Sequence, residues 1–356
     1  MTPDRSDPAP PGPAAQRQRR TALLRIGVAF AASVGLVGVA LPKVAGAPWA
    51  DIRTALQVPT PAQLGLLAAL WAIGLVVHSR VLTAALPGLS VRRALTLNLT
   101  GSALSNVLPL GGGLGIGLNY LMVRRWGFTS RQFSLYTALV NAWHVAIKAL
   151  LPAAALVLLA ANDVALRRSL LLAAAVGSGV LLTTVAMAAV AVLTRRGGRV
   201  IGVVLDRLLR LGHRTVTPTV VDRLEAVRVG AIGLVRSAWR PMTWGVVVYN
   251  ALQALLLWAC LAAVGSPLPT ALVLAVFAVE RVVTALPITP GGAGVVEVAA
   301  TAMIVAVGGA PAAAAAGILL YRAFVFGLEI PVGGAWLLGW WLAQRGPTTP
   351  VAPASS

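Results

Sequence analysis

The chain has 356 residues, 58% of them hydrophobic and 11% charged, with a formal net charge of +19 and a mean hydropathy of +0.84. Soluble domains carry about a quarter charged residues, so the composition excludes a soluble globular protein and predicts an all-α, polytopic integral membrane protein. The basic residues lie between apolar runs, as the positive-inside bias requires; this argues against a nucleic-acid partner and for contact with anionic inner-leaflet headgroups.

Residues 1–20, "MTPDRSDPAPPGPAAQRQRR", are polar and Pro-rich and predict a disordered cytoplasmic tail. Thr21–Leu41 is expected to form the first span, placing the N-terminus in the cytoplasm of a plasma-membrane protein. Pro42–Pro61, with Trp49, is expected as an outer loop. Gln63–Leu86 reads as the second span, with Arg80 snorkelling to the inner interface. Gln132–Ala161 forms another, then Asn162 and Asp163 suit an outer loop before a span at Ser169–Thr194.

Arg195–Arg240 holds ten arginines and reads as a basic cytoplasmic insert. Within it "RVIGVVLDRLLRL" has the spacing of a helix lying on the inner leaflet. Met242–Val264 is the next span and Ser266–Thr270 a short outer turn. Ala271–Gly308 and Ala312–Leu342 complete the apolar regions. Pro331 could split the last one, Trp336, Trp340 and Trp341 suit an interfacial belt, and residues 346–356 form a second disordered tail. The count is about 6–8 transmembrane helices in a single domain over residues 21–345.

Two stretches do not fit simple spans. Ala94–Gly127 is apolar but contains Asn98, Asn106, Pro109, Gly111, Gly112, Gly113, Gly115, Gly117 and Asn119. Pro109 and the glycine run are expected to break a helix. Arginines flank both ends, so the positive-inside rule puts both in the cytoplasm, and the length suits a re-entrant hairpin. Such backbone survives at membrane depth only when buried in protein or lining a polar cavity. The second stretch is "ALPITPGGAGVVE", Ala285–Glu297, which follows an outer turn and should enter from the other side. "LPLGGGLG" and "LPITPGGAG" echo one another, as paired broken helices of an inverted repeat do.

Outside the insert the only glutamates are Glu280, Glu297 and Glu329. All fall in apolar runs, accompanied by Arg281 and Arg322. A mid-bilayer charge costs from about 3 to over 10 kcal/mol, so a buried ionic cluster is expected. Glu280 and Arg281 are adjacent and are expected to point away from a common partner. Glu329 lies two turns after Arg322 on one face, so both can line one cavity. Glu297 is either structural glue beside Arg281 or Arg322, or a binding group; Lys148 either snorkels or joins the cavity. The helix beginning after Thr289–Gly292 offers free N–H groups and a positive dipole end for a phosphate or carboxylate, with Gly291, Gly292 and Gly294 allowing close approach.

Cys260 is the sole cysteine, and His78, His144 and His213 lack metal-ligand spacing. Neither a metal nor another cofactor is expected. No catalytic constellation and no Walker motif occurs, so an enzyme or an ATP-driven pump is not expected.

Glu280–Gly334, with the pattern P-x-T-P-G-G-x-G-x-x-E and a following Tyr321–Arg322 arm, resembles the C-terminal half of the lysylphosphatidylglycerol synthase transmembrane (flippase-like) family. Asn106–Gly115 resembles that family's earlier break, and the resemblance extends over about Thr21–Leu342. It implies a stand-alone lipid-handling domain, without the soluble aminoacyltransferase domain of bifunctional members. The expected partners are membrane lipids, whose headgroups cross between leaflets through a polar cavity at the two breaks. The alternatives are an ion- or proton-coupled small-solute transporter, and a partner subunit of an envelope-lipid enzyme.

Overall fold

A computed structural model describes residues 27–107, 111–161, 219–284 and 289–343, together with Arg20, Leu24, Gly179, Val180 and Thr183. Both expected tails, the Asn162–Asp163 loop, most of the span expected at Ser169–Thr194, the surface helix at Arg199–Leu211, and residues 108–110 and 285–288 lie outside them. Among the described residues every regular element is helical and there is no strand. Five helical runs are long and apolar enough to cross a membrane: Gly27–Ala45, Pro61–Ala85, Ser130–Ala161, Ile232–Ala263 and Pro311–Ala343.

Helix α1 (Gly27–Ala45) carries a π turn at Leu36–Ala40 and ends on left-handed Gly46. The expected outer loop that follows is itself helical, as α2 (Trp49–Leu56). It starts at Trp49 because Pro48 enters it in extended geometry, and it is anchored by the Trp49 indole, which donates to the Gly38 carbonyl at 2.8 Å. Helix α3 (Pro61–Ala85) starts on a reciprocal cap: Gln63 N–H donates to Thr60 Oγ1 at 3.3 Å, and Thr60 N–H to Gln63 Oε1 at 2.8 Å. Thr60→Ala is expected to cost about 1 kcal/mol, read from the midpoint of denaturant unfolding in micelles; no shift there would mean the cap contributes nothing.

Helices α4 (Val91–Val107) and α5 (Gly111–Arg125) form an antiparallel hairpin. The glycine run expected to break the chain is helical: Gly111 through Gly117 lie inside α5. Packing accounts for Gly115, while Gly112, Gly113 and Gly117 meet nothing within 4 Å. A Cβ on Gly115 would stand 2.6 Å from Ser105 Oγ and 2.9 Å from the Gly101 carbonyl, so glycine lets the two backbones touch. Pro109, the other expected breaker, lies outside the described residues.

Helix α6 (Ser130–Ala161) runs through Pro152, and α7 (Thr219–Ala263) through Pro241. The expected boundary between insert and span at Arg240 therefore does not exist; one 45-residue helix joins them. Helices α8 (Thr270–Val283) and α9 (Val295–Ala306) have 14 and 12 residues, or about 21 and 18 Å at 1.5 Å per residue, short of a hydrocarbon core of about 30 Å. Helix α10 (Pro311–Arg322) passes through a π turn, Ala323–Gly327, into α11 (Glu329–Ala343). Pro331 does not split this run. It sits in the first turn of α11, where it cannot donate to residue 327, and the preceding π turn, with Leu328 N–H on the Ala323 carbonyl at 2.6 Å, absorbs the mismatch.

The apolar core has three parts. Leu257, Phe277, Ile304 and Tyr321 join α7, α8, α9 and α10; Leu97, Met122, Phe133 and Met242 join α4, α5, α6 and α7; Leu41, Ile52 and Ala315 join α1, α2 and α10. Of the expected tryptophan belt, Trp336 also makes an interhelical bond, donating to Thr96 at 3.0 Å. Trp340 lies under the Arg125 guanidinium, 5.6 Å from the ring centre.

Candidate functional site

Residues 289–294 lead into α9 without α-helical geometry, and their sequence shows why. Thr289 is extended, and Pro290–Gly292 make a single 3-10 turn. Gly291, Gly292 and Gly294 have φ of 55°, 71° and 85°, the left-handed region that side chains rarely adopt. Space adds a second requirement at all three: a Cβ on Gly292 would stand 2.8 Å from Val296 Cγ2. A Cβ on Gly291 would overlap Phe326 and stand 3.2 Å from Asn106 Oδ1; one on Gly294 would stand 2.6 Å from Leu36 Cβ. The turn is thus wedged between the end of α4, the π turn and α1. Thr289 Oγ1 donates to the Ala293 carbonyl at 2.9 Å and closes it.

Charges hold this turn from below. Glu297, in the first turn of α9, accepts the Gly294 N–H at 2.6 Å. Glycine has no side chain, so only this half of a capping box is made. Arg322 at the end of α10 donates from Nε to Glu297 Oε1 at 2.9 Å and from Nη2 to the Gly291 carbonyl at 2.8 Å. Its Nη1 lies 3.9 Å from Glu280 Oε1, and its guanidinium covers the Phe326 ring at 4.7 Å. Glu280 is 2%, Glu297 4%, Arg322 6% and Glu329 8% exposed; charges this deep persist only when paired and hydrogen-bonded.

Glu280 and Arg281 do not point apart as expected. They form a direct ion pair through Arg281 Nε and Glu280 Oε2, with a second contact from Arg281 Nη2 to Oε1 at 3.0 Å. Their Cα–Cβ vectors diverge on the helix, but the long arginine stem folds across Phe277, 4.9 Å from its ring centre, and returns to its neighbour. Arg281 also donates to the Tyr321 hydroxyl at 3.1 Å. Glu280 therefore faces two guanidiniums, one from α8 and one from α10.

Glu329 opens α11 and accepts from Asn106 Nδ2 at 3.4 Å, with Ser102 beside it. It and Arg322 share one electrostatic neighbourhood but are held by different helices, because the π turn separates them. Lys148 on α6 acts electrostatically on Glu280 and Arg281. Counting it, three carboxylates meet three cations (Arg281, Arg322 and Lys148), and the cluster balances.

The structure thus brings together Glu280, Arg281, Glu297, Arg322, Glu329, Thr289, Gly291, Gly292, Gly294, Asn106 and Lys148. It does not bring in Asn119, which lies on the α4–α5 seam against Gly101, its nearest side-chain atom 3.0 Å from a Cβ built there. Gly111 and Gly112 are in the first turn of α5 and belong to the hairpin. The expected open helix end is also altered: the Gly294 N–H of α9 is already bound by Glu297. Sequence reasoning passed over Tyr321 and Phe326 as ligands of the arginines, though the Tyr321–Arg322 pair was visible. It also passed over His78 and His144, which meet at 3.0 Å.

Residues 24–333 match the sequence model of the protein family described as the lysylphosphatidylglycerol synthase TM region. No curated protein matches the chain. The match and the helical runs agree on an all-α membrane protein related to lipid handling.

Proposed function

Since this chain belongs to the lysylphosphatidylglycerol synthase transmembrane-region family, we propose that it moves lipid headgroups between the leaflets of the plasma membrane, with its N-terminus in the cytoplasm. The α4–α5 and α8–α9 hairpins enter the membrane from opposite faces and meet near its middle. The observation that carries this reading is the contact between the turn before α9 and the end of α4. Gly291 packs on Asn106, the last polar residue before Pro109, while Arg322 binds the Gly291 carbonyl and Asn106 binds Glu329.

The chemistry of the cluster suits such a cargo. The formal charges of the cluster balance, and Glu280, Glu297, Arg281 and Arg322 are paired with one another without a ligand. A zwitterionic headgroup brings one phosphate and one ammonium. The phosphate replaces a carboxylate on an arginine, and the ammonium replaces the arginine on the released carboxylate. Ion pairs are exchanged rather than broken, which avoids most of the desolvation cost of a lone charge. Arginine's planar fork fits phosphate in two-point contact.

Glu297→Gln and Glu329→Gln keep shape while removing one charge each. In proteoliposomes holding a fluorescent phospholipid, each is expected to slow leaflet exchange by about tenfold or more, equivalent to about 1.4 kcal/mol of lost stabilisation. Protein that is folded by gel filtration yet exchanges lipid at the unsubstituted rate would sink the reading.

A further inference from the structure

A second polar cluster stands beside the first and is not used by it. His78 on α3 and His144 on α6 face each other with their Nε2 atoms 3.0 Å apart. Tyr249 of α7 stacks on His78, ring centres 4.7 Å apart, and meets His144 edge-on. Gln253 fixes the tyrosine, donating to its hydroxyl at 2.9 Å. Three helices converge on one imidazole pair.

Two Nε2 atoms at this distance must share a proton; two bare lone pairs or two N–H groups would repel. One ring donates and the other accepts. His78 Nδ1 is sealed from solvent with no hydrogen-bond partner. Were His78 the acceptor, that atom would carry a proton with nowhere to go, at about 1–3 kcal/mol. His78 is therefore the donor through Nε2, with the Asn98 side chain beside its ring. Asn98 Nδ2 donates instead to the Leu75 carbonyl at 3.4 Å. The neutral pair has one vacant proton position, His78 Nδ1.

A proton taken there spreads one positive charge over both rings. The groups that face it come from each neighbouring helix: Asn98 on α4, Lys148 on α6, Tyr249 on α7 and Arg281 on α8, while Gln253 and Glu280 act on Tyr249. Glu329 on α11 acts on Tyr249. Lys148 and Arg281 both repel it, and both belong to the balanced ionic cluster. The protonated pair therefore opposes the arrangement seen here, in which Arg281 is locked to Glu280 and Tyr321. A ligand shifts a conformation by its differential affinity for two states, and a proton at this pair favours the state in which Arg281 has moved away.

We propose that the His78–His144 pair is a proton-binding site that couples proton uptake to headgroup passage through the adjoining cluster, an inference that rests on the translocation reading above.

Two measurements separate its parts. Imidazole nitrogen NMR of the purified full chain, taken across about pH 5 to 8, is expected to show the two rings shifting together in one titration. His213, the third histidine, serves as the independent reference, and His144→Gln should abolish the joint shift. Independent titrations of His78 and His144, or none, overturn the proton site. In proteoliposomes, exchange of a fluorescent phospholipid by the unsubstituted protein is expected to quicken about tenfold toward the acid end, and to be flat in His78→Gln and His144→Gln. Exchange that ignores pH, or keeps its pH dependence in both variants, overturns the coupling and leaves translocation standing. No exchange at any pH overturns the translocation reading and the coupling together, and the titration still decides the proton site.

Discussion

Arg322→Ala is expected to lower the unfolding free energy by about 3–5 kcal/mol, the cost of leaving a buried charge without its partner. The substitution strands Glu297, removes the donor from the Gly291 carbonyl, and takes one of two cations from Glu280. It also uncovers the Phe326 ring. Arg322→Lys should recover only part of the loss, because one ammonium cannot serve Glu297 and Gly291 with the directional fork that the guanidinium offers. Arg322→Met combined with Glu297→Gln should recover more, since Glu280 keeps Arg281 and no carboxylate is left unpaired. Urea or thermal unfolding in micelles reads all three. A loss under about 0.5 kcal/mol for Arg322→Ala, the range of ordinary surface changes, would show that the ion pair does not hold the turn.

The sequence revealed this site in part, and the reasons are physical. Charge in hydrocarbon is so costly that Glu280, Glu297, Arg322 and Glu329 stand out by position alone. The glycines after Thr289-Pro290 stand out because proline followed by glycines is a poor helix former. Which charge meets which was legible only for Glu297, expected beside Arg281 or Arg322 and bound by Arg322. Helical spacing placed Glu280 and Arg281 on divergent vectors, but a five-carbon-scale reach lets an arginine turn back on its neighbour. Spacing also put Arg322 and Glu329 on one face, and a π turn changed their register. At Gly111–Gly117 the helix propensity scale pointed to a break, whereas the run is helical, and at Gly115 contact between α4 and α5 outweighs a cost of about 1 kcal/mol per glycine. The histidine pair was hidden by distance along the chain: its members are 66 residues apart, and only the packing of α3 against α6 and α7 joins them.

Gly333→Val is expected to cost about 3 kcal/mol, the upper end of ordinary overpacking, while Gly334→Ala next to it should be neutral or slightly stabilising. Glu329, Gly333 and Trp336 lie at helical spacing on one face of α11, and all three meet α4. Glu329 meets Asn106, Gly333 meets Leu99 and Ala103, and Trp336 meets Thr96. The two helices therefore run antiparallel along one seam. At Gly333 a Cβ would overlap the Leu99 carbonyl and stand 2.7 Å from Ala103 Cβ. Backbone cannot yield as a side chain can, so a valine must push α11 off α4. That displacement would lengthen the Trp336–Thr96 bond and draw Glu329 from Asn106, so lipid exchange should fall along with stability. Gly334 is exposed and meets nothing within 4 Å, and alanine there gains helix propensity of up to about 1 kcal/mol. Unfolding midpoints of the two variants, measured side by side with leaflet exchange, test the seam. Equal midpoints would mean that α11 does not rest on α4 through Gly333. A destabilised Gly333→Val protein with undiminished exchange would mean that the Asn106–Glu329 contact is not part of the lipid path.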